Sequence, residues 1–316
     1  MVAKLQLPEY DSITVLRTII SERERYKDFY ESLTDDWVAH VENYLEHHGD
    51  PRLIAPLDLS LYISEESVQK EEEKTTDANS HISAQERLKQ KRKQTLINLY
   101  SPAEGKTPYD ILDTLRREHG LLFCPCCGEP GKPTTLDHYL PKAIYPELAI
   151  IIANLTPMCN ECQQNKSSDY FDKDGNKIYI HPYFDPIEQV NLIIDIEEPY
   201  ATPTFRLSIV ENGDDSELYE LLRRHINGVK FLERFDEFCR NEYMALLRTL
   251  SLERQDAQPD RASRIICRFK RQYEGQSPNR WEAIFYRGIL NNTELLDYLD
   301  NGHLPNYTQC GGLFYL

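Results

Sequence analysis

Apolar positions recur at helical spacing through the first fifty residues, with Ile13, Leu16 and Ile20 followed by Phe29, Leu33, Trp37, Val41 and Leu45. The pattern predicts a pair of helices over residues 11–48, ending near Gly49 and Pro51. Residues 68–80 are charged and poor in apolar groups, which predicts a loop or linker, with a solvated helix as the alternative. Residues 84–100 look helical, with Leu88, Leu96, Ile97 and Leu99 on the apolar side and Lys89, Lys91, Arg92 and Lys93 facing out. A further helix is expected over 109–119. Short β-type runs follow at 178–180 and 190–196, and alternation of Phe205, Leu207 and Ile209 predicts a half-buried strand over 204–210. Asn212-Gly213-Asp214 punctuates the change to a helical region over 216–300.

Composition narrows the function classes. A chain of 316 residues can bury a full core and hold two domains. Its 52 acidic against 36 basic residues, a formal charge of -16, run against the basic surface usual in a free-standing nucleic-acid binder. The surplus acid is uneven: residues 217–287 hold 14 basic and 11 acidic side chains. Arg261, Arg264, Arg268, Lys270 and Arg271 can there form one basic helical face, or an ordinary solvated one. No signal-peptide pattern and no apolar run of bilayer length is visible, so a cytoplasmic location is expected.

Eight cysteines include two C-x-x-C turns, Cys124/Cys127 and Cys159/Cys162. Two such turns supply four thiolates to one tetrahedral Zn²⁺, and a saturated ion of that kind is a structural clamp rather than a catalyst. Cys126 falls outside the two-residue spacing. Redox chemistry at Cys124 and Cys127 is the weaker alternative, since paired knuckles suit zinc better than electron transfer. Chemistry is therefore sought in the insert between the turns. There Asp137 and His138 are adjacent, as phosphodiester hydrolysis would use them: an imidazole to take the proton of the attacking water, and a carboxylate to hold a cation near the leaving oxygen. Neighbours on a strand point to opposite faces, so the pair can act together only where the strand bends or ends. In isolation an Asp-His pair is more often structural. Lys142 reads equally as a phosphate contact or a surface lysine.

The series Cys-Pro-x-Cys-Gly, Leu-Asp-His-Tyr-Leu-Pro-Lys, Tyr-Pro-Glu and Asn-Leu-x-Pro-x-Cys-x-x-Cys, with a lysine four residues on, resembles the HNH endonucleases of the ββα-metal fold over about residues 123–167. The resemblance implies His138 as general base, Asp137 as ligand of a catalytic Mg²⁺ or Mn²⁺, and Asn154 as the residue that orients the imidazole. It implies a second metal ligand directly after the last cysteine, where this chain carries Gln163 rather than His or Asn, with Asn165 as second choice. Lys166 takes the family's lysine position, expected at nucleic-acid phosphate or in the neighbourhood of the helix C-terminus. His181, in a segment that often follows such cores, reads more simply as a packed turn residue.

The expected architecture is α+β: a helical N-terminal region over 1–105 with its charged linker, a zinc-stapled HNH core over 106–186, and a short β segment followed by helices over 187–316. Length, helical flanks and motif style also resemble the nuclease subunit of Septu-type anti-phage systems, which also occurs with retrons and works with an ATPase partner. The competing expectation is a zinc-stabilised interaction or nucleic-acid-binding module whose nuclease site has decayed, as Gln163 would suit.

Overall fold

The computed structural model describes residues 3–74, 82–210 and 216–304. It is mixed α and β: among these residues there are eleven α-helices and two antiparallel two-stranded sheets. The chain divides into two compact units, one of residues 5–121 and 133–184, the other of residues 1–4, 122–132 and 185–316. The expected 212–214 turn and residues 75–80 of the expected linker lie outside the described residues.

The first unit begins with α1 (Ser12–Ser21) and α2 (Lys27–Glu46). Asp11 caps α1 by accepting from the backbone N–H groups of Ile13 and Thr14, which satisfies two of the donors that a helix start leaves open. Leu16, Leu33, Trp37 and Val41 are fully buried as their spacing predicts, whereas Ile13, Ile20 and Leu45 are half-buried and Ile19 enters the core instead. Part of the expected linker is instead helix α3 (Glu65–Lys74). Glu71 faces α4 (Ala84–Asn98), where Lys91 Nζ lies 2.7 Å and Arg87 Nε 3.6 Å from its Oε1. Of the basic residues expected to face out on α4, Arg92 turns inward and lies 4.0 Å from the ring centroid of Tyr26.

Helix α5 (Tyr109–Arg117) packs through Leu112 and Leu115 on Leu136, Ile152 and Leu155. Leu136 and Leu155 belong to β1 (Thr135–His138) and β2 (Leu155–Met158), which pair antiparallel with Asp137 opposite Thr156 and His138 opposite Leu155. Helix α6 (Asn160–Lys166) follows β2 after one residue. The 178–180 run is no strand; nearby, only Phe171 and Lys177 form a single bridge.

In the second unit β3 (Leu192–Glu197) pairs with β4 (Thr204–Ile209). Around them lie α7 (Ser216–Gly228), α8 (Phe231–Glu253), α9 (Ala262–Glu274), α10 (Trp281–Asn291) and α11 (Thr293–Asn301). Phe231, Phe235, Phe238 and Trp281 form an aromatic cluster with ring centroids 5.2 to 6.1 Å apart, as edge-on and tilted aromatic pairs prefer. The basic face expected on α9 is largely neutralised: Arg264 and Arg268 share Asp260 at 2.7 and 3.0 Å, and Lys270 pairs with Glu274 at 3.1 Å. No helix among the described residues is long and apolar enough to cross a membrane.

Candidate active site and metal centre

The first cysteine turn is tight. The Gly128 N–H donates to the Cys124 carbonyl at 2.7 Å, and Gly128 has φ +86°, a conformation that glycine adopts without strain. Its backbone is held by helices far along the chain. Trp281 donates its indole N–H to the Cys127 carbonyl at 2.6 Å, His225 Nε2 lies 2.9 Å from the Cys126 carbonyl, and Arg234 pairs with Glu129 at 2.7 Å. Trp281 and His225 stand 154 and 99 residues away, separations that no local motif signals.

The second turn opens α6, where Cys159 is the N-cap and its sulfur accepts from the Cys162 N–H at 3.4 Å. Such N–H to sulfur bonds stabilise thiolate, the form that binds metal. The ligand atoms of Cys124, Cys127, Cys159 and Cys162 all lie within 4.8 Å of one another. Four sulfurs bound at ~2.3 Å to one tetrahedral ion would stand about 3.8 Å apart, so the donor set and spacing fit such an ion. Cys126 is not in this group; its sulfur lies 3.8 Å from His225 Nε2.

His138 is the last residue of β1, so its side chain is not bound to the strict alternation of a continuing strand. It is buried, and its ring packs edge-on against Tyr100 with centroids 4.5 Å apart. Nε2 lies 2.9 Å from the Ala149 carbonyl oxygen. A carbonyl can only accept, so Nε2 carries the proton and Nδ1 is left with its lone pair. Burial first, then the positive charge of Lys142, pushes the His138 pKa down to about 3, which keeps the ring neutral.

Asp137 is likewise buried, and burial raises its pKa against the opposing effects of Lys166, the His138 N–H and Lys142. Oδ2 lies 3.1 Å from Lys166 Nζ, close enough for an ion pair but without the angle of a directed hydrogen bond. Lys166 differs from its expected role. It is 2% exposed and also donates to the His138 carbonyl at 2.7 Å, so it ties α6 to β1 rather than reaching nucleic acid. Replacing Lys166 by methionine strands a buried carboxylate and is expected to cost about 3–5 kcal/mol, read by urea titration at neutral pH. Adding Asp137→Asn should recover part of that loss.

Asn154 also differs from expectation in its direct partners. Its Oδ1 accepts from the Leu140 N–H at 2.7 Å, and Nδ2 donates to the Leu140 and Leu148 carbonyls at 3.0 and 3.2 Å. The Tyr44 hydroxyl also donates to Oδ1, at 3.2 Å. The side chain thus ties Leu140 to Leu148, the neighbour of Ala149, whose carbonyl oxygen accepts from the imidazole. Asn154→Leu leaves these buried backbone groups without partners, so we expect a loss of about 2–4 kcal/mol in a denaturant titration.

Gln163 is half-buried on α6, one turn before Lys166 and therefore on nearly the same helix face. Lys142 is half-buried with Nζ 4.3 Å from the Tyr100 ring centroid. His181 is fully buried, with Nε2 3.0 Å from the Tyr44 hydroxyl, in keeping with a packed residue.

Protein ea31 of Escherichia phage lambda is 40% identical over 62 residues, which make up 20% of this chain and 21% of that protein. The similarity thus spans about a fifth of each. No family model and no solved structure matches the chain.

Proposed function

We propose that this protein is a metal-dependent HNH-type endonuclease that hydrolyses nucleic-acid phosphodiesters at a site centred on His138. The observation that carries the reading is the hydrogen bond of the imidazole: with Nε2 donating to the Ala149 carbonyl at 2.9 Å, Nδ1 keeps its lone pair. A general base needs that protonation state. The order of ribbon and helix, β1 and β2 followed by α6, agrees with the ββα arrangement that the motif implies.

Asp137 and Gln163 would hold the catalytic Mg²⁺ or Mn²⁺, since both offer the hard oxygen donors that these ions prefer. The Asp137 Oδ2 atom already faces the Lys166 ammonium at 3.1 Å, so a metal ion there would have to displace or share that cation. The ion would stabilise negative charge developing on the leaving oxygen. Structural Zn²⁺ would occupy the four thiolates, supported by their mutual spacing. Asn154 supports the base by tying Leu148, the neighbour of Ala149, to Leu140, as a positioning residue.

The test is cleavage of plasmid, single-stranded DNA and transfer RNA by the purified protein, with and without added Mg²⁺ or Mn²⁺. Fragments that require the divalent ion, and that disappear with Asp137→Asn, agree with the proposal. Equal results with and without the ion would refute it.

A second reading is a binding module with a decayed site, favoured by the Lys166 ammonium at Asp137 and by the Gln at position 163. It predicts nucleic-acid binding with no divalent-dependent cutting. As to setting, the net charge of -16 and the ion-paired α9 face suit a nuclease subunit whose substrate is captured by another chain. An ATPase partner in a cytoplasmic anti-phage complex is the setting that the motif resemblance suggests. Affinity purification from the native host, with mass spectrometry, would reveal such a companion.

A further inference from the structure

Two cations gather beside His138, with Asp137 the carboxylate that acts on Lys142 from beyond ion-pair distance. Arg116, in the last turn of α5, has its guanidinium carbon 4.6 Å from the Tyr100 ring centroid, and Lys142 Nζ lies 4.3 Å from the same centroid. Arg116 Nη2 also donates to the Tyr100 carbonyl at 3.1 Å, while the Tyr100 hydroxyl donates to the Leu136 carbonyl of β1 at 2.6 Å. The platform is thereby fixed to the strand that carries Asp137 and His138. Neither cation has an ion-pair partner among the described residues, whereas the neighbouring Arg117 pairs with Asp113 at 3.1 Å.

Like charges drawn together in a half-buried place repel: burial first, and then Arg116, lowers the Lys142 pKa against the opposing effect of Asp137. Arg116, Lys142 and Lys166 against Asp137 leave a local excess of two positive charges, within a chain of net charge -16. An arrangement of this kind is stabilised when an anion arrives. Arginine adds a fork of donors that matches two oxygens of one phosphate. Nothing in the sequence sets Arg116 apart, since a basic residue at a helix end is what any helix dipole favours.

We propose that Arg116 and Lys142, held over the ring of Tyr100, form the subsite that grips the phosphate backbone of the strand presented to His138. The proposal rests on the nuclease reading for its substrate, but its test does not depend on cutting. The probe is a fluorescently labelled 20-nucleotide DNA or RNA strand, titrated with the full-length protein at several salt concentrations without added Mg²⁺ or Mn²⁺. Arg116→Gln and Lys142→Gln are each expected to weaken binding about tenfold and to reduce the salt slope by about one. Arg116→Lys should keep most of the slope, and Arg117→Gln should stay close to wild type. Binding by Arg116→Gln and Lys142→Gln equal to that of Arg117→Gln, or no binding by the wild type, overturns the subsite. If binding depends on Arg116 but no divalent ion elicits cutting, the subsite stands and the nuclease reading fails. If cutting needs His138 while Arg116→Gln and Lys142→Gln bind as wild type, the nuclease reading stands and the subsite fails.

Discussion

Replacing Cys127 by serine is expected to reduce bound zinc from about one equivalent per chain to well below half after dialysis against a mild chelator, and to lower the melting temperature by about 10 °C or more. Structural Zn²⁺ in small domains contributes on the order of 10 kcal/mol of binding free energy at neutral pH, and a hydroxyl is a poor substitute for one of four thiolates. Cys126→Ser supplies the contrast. Its sulfur stands by His225 rather than in the four-sulfur group, so zinc content should remain at one equivalent. Metal analysis and thermal melts of the two variants decide the matter. Equal loss in both would show that the ligand set is wrong.

His138→Ala is expected to lower the cleavage rate by about 10²–10⁴-fold, the usual contribution of a general base. Folding and zinc content should change little by comparison. The ring is buried against Tyr100, so some stability is lost with it, but the cysteine group and the Asn154 clamp are separate from it. His138→Gln is a useful companion, because a neutral donor reaching the Ala149 carbonyl preserves that contact without supplying a base. Both variants should be equally slow. Recovery of activity by glutamine would indicate that the imidazole is a structural group.

The sequence made some of this arrangement readable and concealed the rest for physical reasons. Cysteine spacing identified the four residues whose sulfurs come together, because two-residue turns dictate which thiols can face one point. Helix α2 was readable because burial follows the 3.6-residue period, whereas α10 is buried nearly all round. Lys166 was misread because a lysine in a short polar helix gives no sign that a carboxylate 29 positions earlier lies against it. Asn154 was assigned to the imidazole, yet its amide bonds to backbone groups of Leu140 and Leu148, which carry no side-chain signature. The polar composition left loop and solvated helix both open at 68–80, and α3 realises the helix, with Glu71 paired to Lys91 twenty positions away. The misreadings of Lys166 and Asn154 each concern a polar contact across a distance in sequence, where periodicity is silent.

The most direct measurement of the central claim is chemical rescue of His138→Gly, which leaves a ring-sized space where the imidazole stood. Cleavage of a labelled strand would be followed in Mn²⁺ as imidazole is added. The account predicts a silent variant whose activity rises with the concentration of unprotonated imidazole. Cutting by the variant at the wild-type rate with no imidazole present would contradict it.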